Sequence, residues 1–360
     1  MKARGGLDLD DTDAVSKGDP AGMLDAVLSL PRRLRAGFEA GRSLSPLPDA
    51  SSLSAIVLCG MGGSGVAGDV VRALYRDRLT IPLEVVKDAV LPEFCGRDTL
   101  VVCSSFSGNT AETLACFDAA SDRGCRLLAL STGGELAVRA AERGVPTATI
   151  PDDAPAPRAA LGELLGASLG ALESMGLLPP VVEDIDESAG GLEDLAEELG
   201  PGVELPDNPA KVLATWIGER VAVVWGAEGI ASVAATRWKT ELNENAKTPA
   251  FSSSLPELDH NEVVGWTKAK GQGFVVIALR HHDESGEVAV RFPVSLQIAA
   301  EAGCETQEVW AAGQSPLAKA LSLSMMGSAA SVYLGLLRGV DPTPIEAIDR
   351  LKRVLAEMNE

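Results

Sequence analysis

The sequence predicts an α/β protein of two doubly wound parallel-sheet domains, with helices before the first and one after the second. Three observations carry this. Short apolar runs alternate with segments of helical period through most of the chain. Residues 57–71, VLCGMGGSGVAGDVV, read as a buried strand, a glycine-rich turn and a helix start. The second half then repeats the plan: AIVLCGMGGSG has a weak counterpart in VAVVWGAEGI.

Residues 22–41 carry Met23, Leu24, Val27, Leu28, Leu30, Leu34 and Phe38 at helical spacing, interrupted by Pro31. Two short helices are expected there, within an N-terminal extension of residues 1–50. The first domain is expected over 51–155. Its strands read as 54–58, 83–86, 100–103 and 127–130. A helix begins near Val66 and runs to about Tyr75; another covers 111–122, and a third opens at Glu135. Connecting helices are expected over 156–208. The extended PDDAPAP leads to Arg158 and a helix over 159–175. The acidic run 181–199 reads as a helix with a charged, solvated face. The second domain is expected over 209–345. It has strands at 221–224, 274–279 and 308–310, a turn at 225–229, and helices at 230–242 and 316–337. Residues 346–360 read as a C-terminal helix.

The 360 residues suit about two domains, and 46% apolar content supplies a sizeable core. A formal net charge of −20 argues against nucleic acid or an anionic membrane as partner. A phosphorylated small molecule remains compatible, because it needs only local donors. None of the six cysteines forms a CxxC pair, so buried reduced thiols and a cytoplasmic setting are expected. No signal peptide and no membrane span are expected from the sequence.

Two loops could hold an anion. Glycines after the first strand let a ligand approach the main chain, and the free amides of a helix start favour a phosphate. Gly63 and Ser64 lie there. Taken alone, a plain βα turn fits as well. The second loop, Ser104-Ser105-Phe106-Ser107-Gly108-Asn109-Thr110, also joins a strand to a helix. One hydroxyl would serve as a cap. Ser105, Ser107 and Thr110 together exceed that need and favour a phosphate. The second half has lost both features, so the first domain is the expected anchor.

Residues 237–265, RWKTELNENAKTPAFSSSLPELDHNEVVG, are too polar for core and lack tidy periodicity. Glu241 lies within the helical pattern and can pair with Arg237. Glu244 falls between two asparagines, where the pattern fails and the chain can turn toward a ligand. A carboxylate and an imidazole can divide proton-transfer work near neutral pH. His260 lacks HxH or HExxH spacing, so acid–base work is preferred to metal binding. Alone, such a histidine is more often structural.

Together, GMGGSG, SSFSGNTAET, the proline–Arg158 junction, NENAK and ELDHNE resemble the bifunctional phosphoglucose/phosphomannose isomerase family. The resemblance runs from about residue 55 to 355 and includes GVDPTPIEAIDRLKRVL, with Lys352 at the matching lysine. It implies two sugar isomerase (SIS) domains and aldose–ketose isomerisation of glucose 6-phosphate or mannose 6-phosphate with fructose 6-phosphate. It implies that Gly63, Ser64, Ser105, Ser107 and Thr110 hold the phosphate of a phosphorylated hexose. It implies Glu244 as the base between C1 and C2, Arg158 beside the enediolate, and His260 and Lys352 in ring opening. It further implies a homodimer with the active site at the interface, His260 coming from the neighbour, and no metal or cofactor. Phe106 stands where the family usually has tyrosine. The N-terminal segment and residues 181–199 are longer than the family's minimal pattern. A phosphosugar-binding regulator without catalysis is the alternative, but it would have no evident need for Glu244, His260 and Arg158. Another sugar phosphate, such as a heptose phosphate, is a further alternative substrate.

Overall fold

The computed structural model describes residues 7–268, 271 and 273–358. Three helices come first: α1 (Thr12–Gly18), α2 (Met23–Leu28) and α3 (Leu30–Arg42). Pro31 does not break a helix. It lies in the first turn of α3, where a missing amide hydrogen costs nothing.

The first sheet comprises β1 (Ala55–Cys59), β2 (Leu83–Val86), β3 (Thr99–Ser104), β4 (Arg126–Ser131) and β5 (Thr147–Thr149). Between them run α4 (Gly62–Tyr75), α5 (Ala111–Asp122) and α6 (Gly134–Glu142). The order is β2-β1-β3-β4-β5 and every pair is parallel. Period-two alternation splits the strands between two cores. Ile56, Leu58, Leu100, Val102, Leu128 and Leu130 face the large central core. Val57, Cys59, Val101, Cys103, Leu127 and Ala129 face a smaller cluster beneath α5 and α6.

A 3₁₀ turn, Pro157–Ala160, leads into α7 (Leu161–Ser174), followed by α8 (Val182–Glu198), a second 3₁₀ turn (Leu205–Asp207) and α9 (Pro209–Ile217). α7 lies against α3 backbone to backbone: a Cβ on Gly166 would sit 2.4 Å from the Leu34 carbonyl oxygen. The acidic α8 is more than a solvated face. It buries Ile185, Ser188, Ala189 and Leu192.

The second sheet comprises β6 (Val221–Ala227), β7 (Ala250–Leu255), β8 (Phe274–Arg280) and β9 (Glu305–Trp310). Its order is β7-β6-β8-β9, again all parallel, so it repeats the first sheet less one strand. Here α10 (Ile230–Asn245), a 3₁₀ turn (Glu257–His260), α11 (Glu262–Trp266), α12 (Gly286–Ala289), α13 (Arg291–Glu301), α14 (Pro316–Leu337) and α15 (Glu346–Met358) complete the chain. Among the described residues α14 is the one helix long and apolar enough to cross a membrane, and 89% of its most apolar window is buried in the protein. It packs against α8, α9 and α10 as the central pillar.

Several boundaries differ from the sequence reading. α4 starts at Gly62 rather than Val66, so the glycines form its first turn. β6 continues through Ala227, replacing most of the expected turn. α10 runs past Leu242 to Asn245, so Glu244 is helical and not on a turn beyond the helix. β5 and β7 are edge strands that the sequence did not reveal.

Candidate active site

Both candidate phosphate loops lie at the carboxyl ends of adjacent strands, β1 and β3. Ligands bind at this edge where crossovers diverge to opposite sides of the sheet. Ser64 Oγ accepts from the Phe106 amide at 3.1 Å and ties the loops together. Ser105 and Thr110 share a hydroxyl hydrogen bond of 2.9 Å. The Phe106 carbonyl accepts from Thr132 Oγ1 at 2.8 Å, which braces the loop from β4. Phe106 therefore serves through its backbone and a buried ring. Ser64 and Ser105 are buried, Thr110 is half-buried and Ser107 is exposed.

Capping does not account for these hydroxyls. Thr110 occupies the N-cap of α5, yet its side chain bonds Ser105 and no helix amide. The N-cap of α4, Met61, likewise makes no side-chain cap. Two helix starts thus present uncapped amides at neighbouring strand ends, which suits an anion.

Gly63 connects these loops to the second half of the site. A Cβ on it would lie 2.7 Å from the Pro157 carbonyl oxygen and 2.8 Å from the Arg158 Cα and N. Only glycine permits this approach. The α4 start is thereby packed on the backbone that carries Arg158.

Arg158 is 3% exposed and points into α10. Its Nε donates to Asn245 Oδ1 at 2.6 Å and Nη1 to Glu244 Oε2 at 3.2 Å. Its Nη2 donates to the Pro342 and Thr343 carbonyls at 2.8 and 2.9 Å. A guanidinium has five N–H donors, so one, on Nη1 beside Glu244, remains for a ligand. Behind it, Arg237 Nη2 donates to the Arg158 carbonyl at 3.0 Å and pairs with Glu241 Oε1 at 2.5 Å. Glu241 is 2% exposed, and burial pushes its carboxyl above the ordinary value despite Arg237. Glu241 and Glu244 therefore face different surroundings: one is sealed behind Arg158, the other opens beside it.

Glu244 lines a cavity of about 940 Å³ with Asn243, Lys247, Thr248, Phe251, Val340, Asp341 and the helix start at 344–348. His260 does not line it. It is exposed at the end of the 3₁₀ turn after β7, whose Asp259 is held by Arg291 at 3.0 Å and Ser295 at 2.7 Å. Lys352 is exposed on α15, whose first turn borders the cavity. The structure thus joins Arg158 to Glu244 and Gly63 to Arg158, and leaves His260 apart within one chain. Among the described residues, no group of three or more His, Cys, Asp or Glu side chains is arranged to hold a metal ion.

The sequence marks Asn245 only as a flanking amide beside Glu244, and does not single out the Pro342 and Thr343 carbonyls or Lys247. Asn245 is fully buried and bridges Arg158 to Ser331 on α14. The Pro342 and Thr343 carbonyls anchor Arg158. Lys247 donates to the Glu244 carbonyl and to the Pro342 carbonyl, the latter at 2.9 Å. NENAK, which was singled out as a unit, contains two of these.

Two parallel-sheet SIS domains, with hydroxyl-rich strand-to-helix loops beside a carboxylate–guanidinium pair, define a phosphosugar-handling protein. Residues 206–355 match the family model described as the bacterial phospho-glucose isomerase C-terminal SIS domain. A bifunctional phosphoglucose/phosphomannose isomerase of Caldicellulosiruptor bescii is 34% identical over 340 residues, covering 94% of this chain and 100% of the relative. One of Aquifex aeolicus is 36% identical over 309 residues, covering 85% and 92%. A hypothetical protein of Thermus thermophilus shares the fold, with a TM-score of 0.72, 18% identity and coverage of 97% and 94%. The chain belongs to the bifunctional phosphoglucose/phosphomannose isomerase family and is a sugar-phosphate isomerase.

Proposed function

We propose that this enzyme interconverts glucose 6-phosphate, mannose 6-phosphate or both with fructose 6-phosphate through an enediolate. The observation that carries the reading is the Arg158–Glu244 pair: Glu244 lines a cavity, and the Arg158 backbone is packed through Gly63 against the hydroxyl loops. In this reading the phosphate rests among Gly63, Ser64, Ser105, Ser107 and Thr110. It supplies binding energy and orientation away from the reacting carbons. Glu244 takes the proton from C2 of the aldose, or C1 of the ketose, and returns it to the other carbon. The free N–H of Arg158 meets the oxygen on which negative charge develops. His260 and Lys352 act in ring opening. Proton transfer of this kind needs no redox cofactor, and no metal is assigned.

His260 is proposed to come from a second copy of the chain, in a homodimer. Its exposure away from the Glu244 cavity supports this. So do exposed Val264, Val290 and Val294, on and beside α11 and α13, which pack together next to it. A cytoplasmic setting fits the six free, mostly buried thiols.

The test is a coupled assay of purified protein with glucose 6-phosphate, mannose 6-phosphate and fructose 6-phosphate, chelator present throughout. Turnover that survives the chelator supports the reading. Tight phosphosugar binding without turnover would establish the regulatory alternative instead. Activity that disappears with chelator and returns with zinc would overturn the metal-free assignment.

A further inference from the structure

We propose that Lys247 is a positioning residue: its ammonium pins the Pro342 turn to the end of α10 and so sets α15, with Lys352 on it, across the cavity from Glu244. This rests on the reading of Glu244 as the isomerisation base.

The first observation is backbone strain. α10 ends at Asn245, Ala246 closes it, and Lys247 follows with φ 51°. Among the described residues it is the one non-glycine residue with positive φ. Helices commonly place glycine there, because a Cβ crowds the carbonyl in that conformation. A strained side chain that persists at a site boundary points to a use for that side chain.

The second observation is where the ammonium goes. It bonds the Glu244 carbonyl, an end group of α10, and reaches the Pro342 carbonyl at 2.9 Å. Arg158 Nη2 donates to the same Pro342 oxygen at 2.8 Å. Two cations from distant parts of the chain thus converge on one carbonyl. Burial, then the neighbouring Arg158 charge, pull the Lys247 ammonium below the usual lysine value. A glycine in its place would remove both the strain and the crowding of cations. The helix end alone therefore gives no reason to keep a lysine.

The third observation is what the turn controls. Val340, Asp341 and residues 344–348, on either side of Pro342 and Thr343, form one wall of the cavity, and Lys247, Glu244 and 248–251 contribute to the rest. α15 begins immediately after that turn. Along it Leu351, Val354, Leu355 and Met358 are 44–76% exposed, so side-chain packing does little to orient this helix. Its placement falls to the turn, and the turn is held by Arg158 and Lys247.

The test compares Lys247→Gly, Lys247→Met and Lys247→Arg with wild type. Thermal unfolding, kcat, KM and amide exchange over residues 346–358 are measured. Lys247→Gly is expected to unfold at or above the wild-type temperature, since it relieves the positive φ. Its kcat is expected to fall about 10- to 100-fold, as misplacement of a reacting group does. KM should stay within about threefold, because the phosphate contacts lie on the first domain. Exchange in α15 should quicken. Lys247→Met should lose kcat similarly, and Lys247→Arg should recover much of it. A folded Lys247→Gly protein with kcat within about twofold of wild type would overturn the proposal. So would losses that track only the unfolded fraction. Glu244→Gln, assayed in parallel, separates the two readings. If it retains wild-type exchange of the substrate proton, the assignment of the base fails, and this proposal with it. If it is inactive while Lys247→Gly is normal, only the present proposal fails.

Discussion

Arg158 Nη1 donates to Glu244 Oε2 at 3.2 Å, joining the 3₁₀ turn that precedes α7 to the last turn of α10. Glu241, one helical turn earlier, pairs with Arg237 instead and is sealed from solvent. Glu244→Gln keeps the shape and removes the carboxylate proposed as the base. Solvent deuterium exchange at C1 or C2 should fall about 10²- to 10⁴-fold while phosphosugar binding survives. Glu241→Gln should retain most exchange, because that carboxyl reaches the site only through Arg237. The reverse pattern in folded proteins would sink the assignment.

Gly63→Ala tests the coupling between the two halves of the site. The added methyl would meet the Pro157 and Arg158 backbone below 3.0 Å, and neither atom belongs to a flexible side chain. Either the first turn of α4 or the Arg158 segment must move. A stability loss of about 1–3 kcal/mol is expected. A fall in kcat should accompany it, because the guanidinium moves with its backbone. Calorimetry and the coupled assay report the two separately. An unchanged kcat in folded Gly63→Ala would show that Gly63 does not position Arg158.

Legibility in the sequence followed the periodicity of burial. The bounds of α14 were read correctly, from Pro316 to Leu337, because a long stretch of apolar and small residues, with Lys319 its one charge, follows Ser315 and a first-turn proline. The end of α10 was misjudged because its last turn is polar for tertiary reasons. Asn243 accepts from the Ala250 amide at 3.0 Å, and Asn245 is buried against Arg158 and Ser331. Such residues look like a break in the helical pattern when they face a site. β7 was missed because Ser252, Ser253 and Ser254 interrupt the apolar pattern of an edge strand. Lys247 carries no local signal, since neither its φ nor its reach to Pro342 is written in neighbouring residues.

Glu187 gives a pH-dependent prediction. It lies on α8, but its carboxylate accepts from the Gln314 and Ser315 amides at 2.6 and 3.0 Å, at the start of α14. Burial pushes this carboxyl up, and the Ser315 and Gln314 hydrogen bonds outweigh it, leaving it below the ordinary 4.5. A depressed folded value means the unfolded chain takes up the proton first. The stabilisation is therefore present above the ordinary value and is lost as pH falls through the folded one. At pH near 7, Glu187→Gln should be less stable by about 1–2 kcal/mol. The gap should narrow toward roughly pH 3. Denaturant unfolding at both pH values measures it. A gap independent of pH would mean that the charge does not contribute.

The proposed phosphate anchor is tested at Ser107 and Thr110. Ser107 is the exposed hydroxyl of its loop, and its Oγ accepts a 3.3 Å bond from the Asn109 amide. It therefore retains capacity for an incoming anion. Thr110 is tied to Ser105 at 2.9 Å, so the two hydroxyls act as a unit. Each hydrogen bond to a charged phosphate contributes about 1.5–3 kcal/mol. Each single alanine variant should weaken phosphosugar binding roughly 10- to 100-fold. Thr110→Ala combined with Ser105→Ala should fall short of the summed losses, because the second change removes a partner already lost. The fold should survive, since Thr110 caps no α5 amide and Ser107 lies at the surface. Calorimetric titration with fructose 6-phosphate, and with unphosphorylated fructose as control, reads the effect. Unchanged affinity in the Ser107→Ala, Thr110→Ala double variant would place the phosphate elsewhere.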